Sequence, residues 1–320
     1  MQTQSEFLKL RQHLEQIIVG QRTLLDRLMI CLLTGGHVLL ESAPGLAKTT
    51  AVKALASGVH ASFQRIQFTP DLMPSDITGS EIFNPKTGDF QFAQGPIFHE
   101  IILADEINRA PPKVQSALLE AMEEHQVTIG GHSHALPNLF IVMATQNPLE
   151  QTGTYPLPEA QLDRFLLHVV LDYPSEDEEM QILERDRRLH FASDESAPDT
   201  RISPDTVLKA RHEVAEVHIE QSLERYVVSL VNATRDPGKW IDGWQKHIQF
   251  GASPRATLAM VRAASAHAYL VGRDYVTPDD VIEVAPDVLR HRIIPGFAAR
   301  SSQLDADQLI QGILQAVTIP

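Results

Sequence analysis

His37-Val-Leu-Leu-Glu-Ser-Ala-Pro-Gly-Leu-Ala-Lys-Thr-Thr50 passes from an apolar run through a tight loop into a segment of helical periodicity. A buried strand feeding a short loop and a helix start is the context of a phosphate-binding loop. The first N–H groups of a helix have no internal acceptor and converge on an anion. In that reading Ser42, Ala43, Pro44, Gly45, Leu46, Ala47 and Thr50 line the loop, Lys48 reaches the β and γ oxygens, and Thr49 holds Mg²⁺. The spacing G-x-x-x-x-G-K-[ST] is met imperfectly, because Ser42 and Ala47 stand at its glycine positions and Gly45 lies inside. Taken alone, the segment also reads as a strand-to-helix turn with a surface lysine.

Ile101-Ile-Leu-Ala-Asp-Glu-Ile-Asn-Arg109 weighs against that plainer reading, since it is an apolar strand ending in two carboxylates downstream of Lys48. A carboxylate at the C-terminal end of a parallel strand holds Mg²⁺ through water, and its neighbour orients and deprotonates an attacking water. Asp105 takes the first role and Glu106 the second; a lone acidic pair would read as a solvated strand end. A third apolar run, Leu139–Ala144, leads to Asn147, which can position water, although Gln146-Asn147-Pro148 is also a good turn sequence. Pro158-Glu-Ala-Gln-Leu-Asp-Arg164-Phe presents an arginine just before the run Leu166–Leu171. Supplied by a neighbouring subunit, Arg164 suits an arginine finger; otherwise it pairs with Asp163 or Glu159.

Five short apolar runs, His37–Leu40, Phe63–Phe68, Ile101–Ala104, Leu139–Ala144 and Leu166–Leu171, alternate with amphipathic stretches such as Lys48–Gly58 and Pro112–Glu124. That pattern predicts buried parallel strands joined by helical crossovers. After Pro174 the period becomes helical through Glu178–Arg188, Pro204–Val217, Glu220–Thr234, Pro254–Val271 and Pro278–His291, and no strand series remains. The Ser-, Asp- and Pro-rich segment 191–205 divides an α/β core, 1–190, from a helical domain, 191–320. Thr277-Pro278 and Ser203-Pro204 place a capping hydroxyl before a first-turn proline.

Hydrophobic residues at 43% and charged residues at 21% mark a chain that folds. No apolar run approaches the ~20 residues that cross a bilayer, and the start MQTQSEFLKLRQ lacks a signal-peptide apolar region, so a cytoplasmic protein is expected. Cys31, the single cysteine, sits in the apolar run MICLL and is read as core. A net charge of −14 with no local basic stripe argues against nucleic acid as a partner. His132, His134 and His291 lack companions at zinc spacing and are read as surface or loop histidines.

Taken together, Ile18-Val-Gly-Gln21, SAPGLAKT, LADEINRAPPKVQSALLEAMEE, ATQNP, LPEAQLDRF and GASPRA resemble the MoxR group of AAA+ ATPases, related to magnesium-chelatase ATPase subunits, over nearly the whole chain. The resemblance implies an α/β P-loop core, its parallel sheet sandwiched by helices, with a C-terminal all-helical lid. It implies Val19 and Gly20 near the adenine of ATP, Lys48 and Thr49 on phosphate and Mg²⁺, and Asp105 and Glu106 as the Walker B pair. Asn147 resembles sensor 1, Arg164 the trans-acting finger, and Arg255 in Gly251-Ala-Ser-Pro-Arg the sensor 2 that reaches from the lid to the γ-phosphate. Ala47 is usual in the group, whereas Ser42 departs from it; a serine can make the turn if its φ is negative. Asp71–Phe98, with a hairpin turn at Lys86-Thr-Gly-Asp89, is similar to the helix-2 insert that faces the ring centre in this clade. The group further implies a hexameric ring in which lid moves against core. Hydrolysis there drives remodelling, maturation or metal-cofactor insertion in a client protein, with a von Willebrand factor A domain partner. The competing expectations are an ATP-gated ring scaffold with negligible hydrolysis and a DNA-directed motor.

Overall fold

Apolar runs of about five residues satisfy their backbone groups best by pairing side by side, and all five do so here. The computed structural model describes residues 2–43, 45–46, 48–86, 88–148, 153–191 and 201–319. In chain order the first part contains α1 (Gln4–Ile17), α2 (Arg22–Thr34), β1 (Val38–Ser42), α3 (Lys48–Gly58), β2 (Phe63–Gln67) and α4 (Pro74–Thr78). A hairpin β3 (Gly79–Asn84) and β4 (Asp89–Gln94) follows, then β5 (Ile101–Asp105), α5 (Pro112–Glu124), a second hairpin β6 (Gln126–Ile129) and β7 (His132–Ala135), and β8 (Ile141–Gln146). The core ends with α6 (Glu159–Leu162), β9 (Leu167–Leu171) and α7 (Glu176–Phe191). β1, β2, β5, β8 and β9 make one parallel sheet in the order β2-β5-β8-β1-β9. From β1 the chain runs to β2 at the far edge on one side and later returns to place β9 on the other, and the carboxyl ends of the central strands flank the crevice between these directions.

The helical remainder, called the lid here, comprises α8 (Pro204–Ala215), α9 (Gln221–Arg235), β10 (Ile248–Phe250), α10 (Pro254–Leu270), α11 (Pro278–Leu289), β11 (Ile294–Pro295), α12 (Phe297–Ser301) and α13 (Ala306–Ala316). It is helical except for the short antiparallel pair β10–β11, which strand-length patterning misses because it is only two or three residues long. Ser203 caps α8 through the Thr206 N–H, as the proline-preceding hydroxyl predicts, whereas at α11 the Asp280 carboxylate accepts both the Thr277 N–H at 2.7 Å and the Thr277 hydroxyl at 2.8 Å. Most of the expected linker, residues 192–200, lies outside the described residues.

Helix α2 explains how lid and core meet. Leu24, Leu25, Leu28, Met29, Ile30, Cys31, Leu32 and Leu33 are all buried, so the helix is apolar on every side and needs cover all round. The sheet strand β9 covers one side, and α8 and α10 of the lid cover the other. One continuous apolar cluster therefore runs from Phe7 to Val317 through both parts. The only cation in α2's interior face, Arg27, is 4% exposed and donates to Asp287 at 2.6 Å and to Glu283 at 2.9 Å, pinning α2 to α11.

A second joint lies at Arg290-His291-Arg292. Arg290 donates to the His168 carbonyl, His291 Nε2 lies 3.0 Å from the Phe165 carbonyl, and Arg292 donates to the Leu166 carbonyl at 3.2 Å. His291 is thus a buried joint residue, contrary to the surface position expected for it. The apolar run before it ends on a polar triplet whose partners are strand carbonyls invisible to sequence. His132 and His134 lie on β7, where His134 stacks on Phe92 of β4 with ring centres 4.0 Å apart. The β6–β7 hairpin that carries them was not expected.

His37, at the amino end of β1, is buried against Phe140 and His125. Burial pushes its pKa down to about 4, with the nearby His125 and Arg211 acting in the same direction. Its Nδ1 accepts from the Val142 N–H at 3.0 Å, so the neutral ring is the form the fold holds. An unfolded chain protonates this ring below about pH 6.5 while the native chain does not. Stability is therefore full above that pH and is lost as the pH falls toward 4, by on the order of 3 kcal/mol from this residue. Urea midpoints measured between pH 7.5 and 4.5 should fall accordingly, and His37→Gln should flatten the slope; an unchanged slope would remove His37 as its source.

Candidate active site

The phosphate loop follows β1 at the carboxyl edge of the sheet. Ser42 is the last residue of that strand, paired with Leu171, and is not among the residues with positive φ. The extended backbone accommodates a side chain, and its Oγ donates to the Ala43 carbonyl at 2.9 Å. Gly45 supplies the left-handed turn, with φ of +88° and open space where a Cβ would stand. Lys48, the first residue of α3, turns its Nζ back toward the Ser42 and Ala43 carbonyls at 3.3 and 3.4 Å. Burial lowers its pKa, and the charges of Asp105 and Glu106 oppose that shift. Pro44 and Ala47 lie outside the described residues.

Gly45, Leu46, Lys48, Thr49, Asp105, Glu106, Thr145 and Asn147 line one cleft of about 400 Å³. β5 delivers Asp105 and Glu106, and its neighbour β8 delivers Thr145 and Asn147, because adjacent parallel strands end at the same edge. Glu106 adopts φ +57° and ψ +51°, a left-handed conformation that costs a non-glycine residue roughly 1–2 kcal/mol. The Thr145 Oγ accepts the Glu106 N–H at 2.9 Å and donates to Asp105 Oδ1 at 2.6 Å, holding the pair in this geometry. Strain of this kind, retained by a dedicated hydrogen bond, aims the Glu106 carboxylate at the cleft.

Polar side chains that sequence reading missed hold the two acids. Arg65 donates to Asp105 Oδ2 at 2.6 Å, Gln67 to Glu106 Oε2 at 2.7 Å, and Arg109 to the same Glu106 oxygen at 2.8 Å. The signal was available in the period of two along Phe63–Gln67, which puts Arg65 and Gln67 on one side of β2, beside β5. The hydroxyl of Thr49 and the carboxylate of Asp105 share this cleft, and such hard oxygen donors fit Mg²⁺.

A second, more apolar cleft of about 350 Å³ adjoins the loop. Ile17, Ile18, Val19, Gln21, Gly45, Leu46, Thr50, Pro174, Ile182 and Arg185 line it, a surface suited to a flat base. Val19 is in this lining and Gly20 is not; Gly20 instead makes the turn, with φ +73°. A Cβ there would lie 3.0 Å from the Glu178 Cβ of α7, so glycine allows the helix to close over the cleft.

Arg164 and Arg255 lie elsewhere. They share a third cleft with Gly36, His37, Glu123, Asp163, Leu166 and Arg292, at the amino ends of β1 and β9. Five-residue strands separate that edge from the phosphate loop by about 16 Å, beyond the reach of an arginine side chain. The expected reach of Arg255 to a γ-phosphate is therefore not a reach within its own chain. Instead, Arg255 Nη2 lies 2.8 Å from Glu123 Oε1, and Arg164 Nε lies 3.5 Å from Glu123 Oε2. Among the described residues Arg164 pairs with Glu123 and makes no salt bridge to Asp163 or Glu159, and Asp163 faces Arg292 at 2.7 Å.

Residues 37–167 match the model of the ATPase family associated with various cellular activities, AAA, and residues 245–313 match the AAA lid domain. The chain is similar to Chaperone MoxR1 of Mycobacterium tuberculosis, with 46% identity over 96% of this chain and 80% of that one. It is also similar to Protein MoxR of Methylorubrum extorquens, with 31% identity over 98% and 94% of the two chains. The crystal structure of a candidate ATPase from Cytophaga hutchinsonii superposes with a TM-score of 0.90 at 44% identity, covering 100% of this chain and 96% of that one.

Proposed function

The chain belongs to the MoxR family of AAA ATPases, and on that premise we propose that it hydrolyses Mg-ATP at sites completed between subunits and uses the turnover to remodel a client protein. The observation that carries this reading is the division of the catalytic set between two edges of one sheet. The phosphate-binding and water-activating groups line one cleft, and both candidate arginines line another. A closed ring brings the second edge of one copy to the first edge of the next, and we infer the hexamer usual in the group.

Lys48 and the backbone of the loop bind the phosphates, Thr49 and Asp105 hold Mg²⁺, and the apolar cleft at Val19 takes the adenine. The metal supplies Lewis-acid stabilisation of phosphoryl oxygens when bound. Asn147 orients the attacking water and Glu106 accepts its proton, while Arg164 and Arg255 of the adjacent subunit neutralise charge developing on the γ-phosphate. Ser42, whose extended backbone fits the loop and whose carbonyl meets Lys48, gives no support to a scaffold without hydrolysis. The charge of −14 gives none to a DNA-directed motor. The helix-2 insert presents exposed Ile82, Phe83 and Phe90 on its hairpin, a surface suited to an apolar client segment. We take a von Willebrand factor A domain protein as the partner, a cytoplasmic setting, and maturation or metal-cofactor insertion as the class of task.

ATP turnover measured against protein concentration, with assembly mass followed in the same samples, tests the shared site. Specific activity should rise with assembly. Full activity in a monomer would defeat the reading, and nucleotide binding without turnover in assembled rings would favour the scaffold.

A further inference from the structure

The finger arginine and the lid arginine come from different parts of the chain, yet they converge on one acid, and a closed circuit of contacts explains how. Arg164 sits on the turn that follows α6, and Arg255 is the second residue of α10. Asp163, next to Arg164, gives each of its carboxylate oxygens to a different residue of the lid. Its Oδ1 accepts from Arg292 Nε at 2.7 Å, and its Oδ2 accepts from the Ser253 hydroxyl at 2.9 Å. Ser253 is the N-cap of α10, and its Oγ accepts the Arg255 N–H at 3.2 Å. From there the two arginine side chains meet again on the two oxygens of Glu123, at the end of α5.

Arg292 makes the circuit stiff. It is 8% exposed, and its guanidinium also donates to the carbonyls of Asp163 at 3.2 Å and Phe165 at 2.7 Å. Burial opposes its charge and Asp163 sustains it. A guanidinium that saturated leaves the 163–166 segment one position relative to the lid.

We propose that Asp163 is a positioning residue for the shared ATP site, fixing Arg164 and Arg255 as a single two-arginine unit that each subunit offers to its neighbour. The proposal rests on the shared-site reading above. Loss of the Asp163 charge then harms the subunit that donates arginines and spares the subunit that binds ATP.

Two mixtures separate these roles. The reference mixes Lys48→Ala subunits, which keep the arginines, with Arg164→Ala subunits, which keep the phosphate site. Asp163→Asn is then added to the donor in one mixture and to the acceptor in the other. Turnover should fall about 10- to 100-fold in the first, the scale of a ~1 Å misplacement of a catalytic group, and stay within about twofold in the second. Ser253→Ala, which removes only one arm of the circuit and leaves Arg292 paired, should repeat the asymmetry more weakly and serves if Asp163→Asn does not fold. Equal losses in both mixtures, or none in either, overturn the proposal. A silent reference mixture in which mixed assemblies are shown by mass overturns the shared site, and the proposal with it.

Discussion

Glu106→Gln should bind ATP with close to native affinity and lose turnover by about 10²–10⁴-fold, the usual contribution of a general base. The substitution keeps the shape of a side chain that the fold takes trouble to hold. Glu106 sits in the left-handed region, its N–H satisfied by Thr145, and both Gln67 and Arg109 donate to its Oε2. An amide preserves the acceptor for those donors and leaves the backbone bond untouched, so folding and phosphate contacts at Lys48 and Thr49 should persist. What it removes is the ability to take a proton from water. Equilibrium binding of a fluorescent ATP analogue, beside steady-state phosphate release, separates the two effects. Native turnover in the variant would move the base elsewhere, and loss of binding would make Glu106 a structural strut.

A finger arginine in related chemistry contributes about 10³–10⁵ in rate, and a loss at the low end of that range is expected for Arg164→Ala. Arg255→Ala should follow it in kind. Both side chains are partly exposed, at 30% and 52%, and their shared acid, Glu123, is 38% exposed, so their pairing is worth at most about 1 kcal/mol. Removing either arginine should therefore leave thermal stability within a degree or two of native while turnover falls. That combination distinguishes arginines that act on a neighbour from arginines that tie the chain together. A large drop in melting temperature for either variant would assign it the second role, and undiminished turnover would take it out of the site.

The sheet was legible because its central strands β1, β5 and β8 are short apolar runs buried on both faces and bracketed by helical period or turn residues, whereas the edge strand β2 alternates. That Asp105, Glu106, Lys48 and Thr49 meet in one cleft was legible for a related reason, since a parallel sheet brings its strand ends and the following helix starts to the same edge. The arginines were legible as residues, while the edge of the sheet at which Arg255 lies was not. Nothing in Gly251-Ala-Ser-Pro-Arg255 tells which edge of the sheet its helix will approach, and that edge is settled by α2, which the lid must cover. Arg65, Gln67 and Arg109 escaped notice because their role depends on the register of β2 against β5. His291 was misplaced because its acceptor is a backbone carbonyl 126 residues away, which no side-chain pattern announces.

Helix α2 also bears on how such a chain can be altered by recombination. Its apolar surface is divided between the sheet and the lid helices, so it belongs to neither as a detachable piece. A graft that exchanges lids between relatives at the segment 192–200 would bring foreign α8 and α10 surfaces against a native α2, and the buried pair of Arg27 with Asp287 would be left to chance. The sound crossover unit is discontinuous: the first two helices travel with the last third of the sequence. Inheritance of the lid is thereby tied to inheritance of the amino terminus, although the phosphate loop and most of the sheet lie between them.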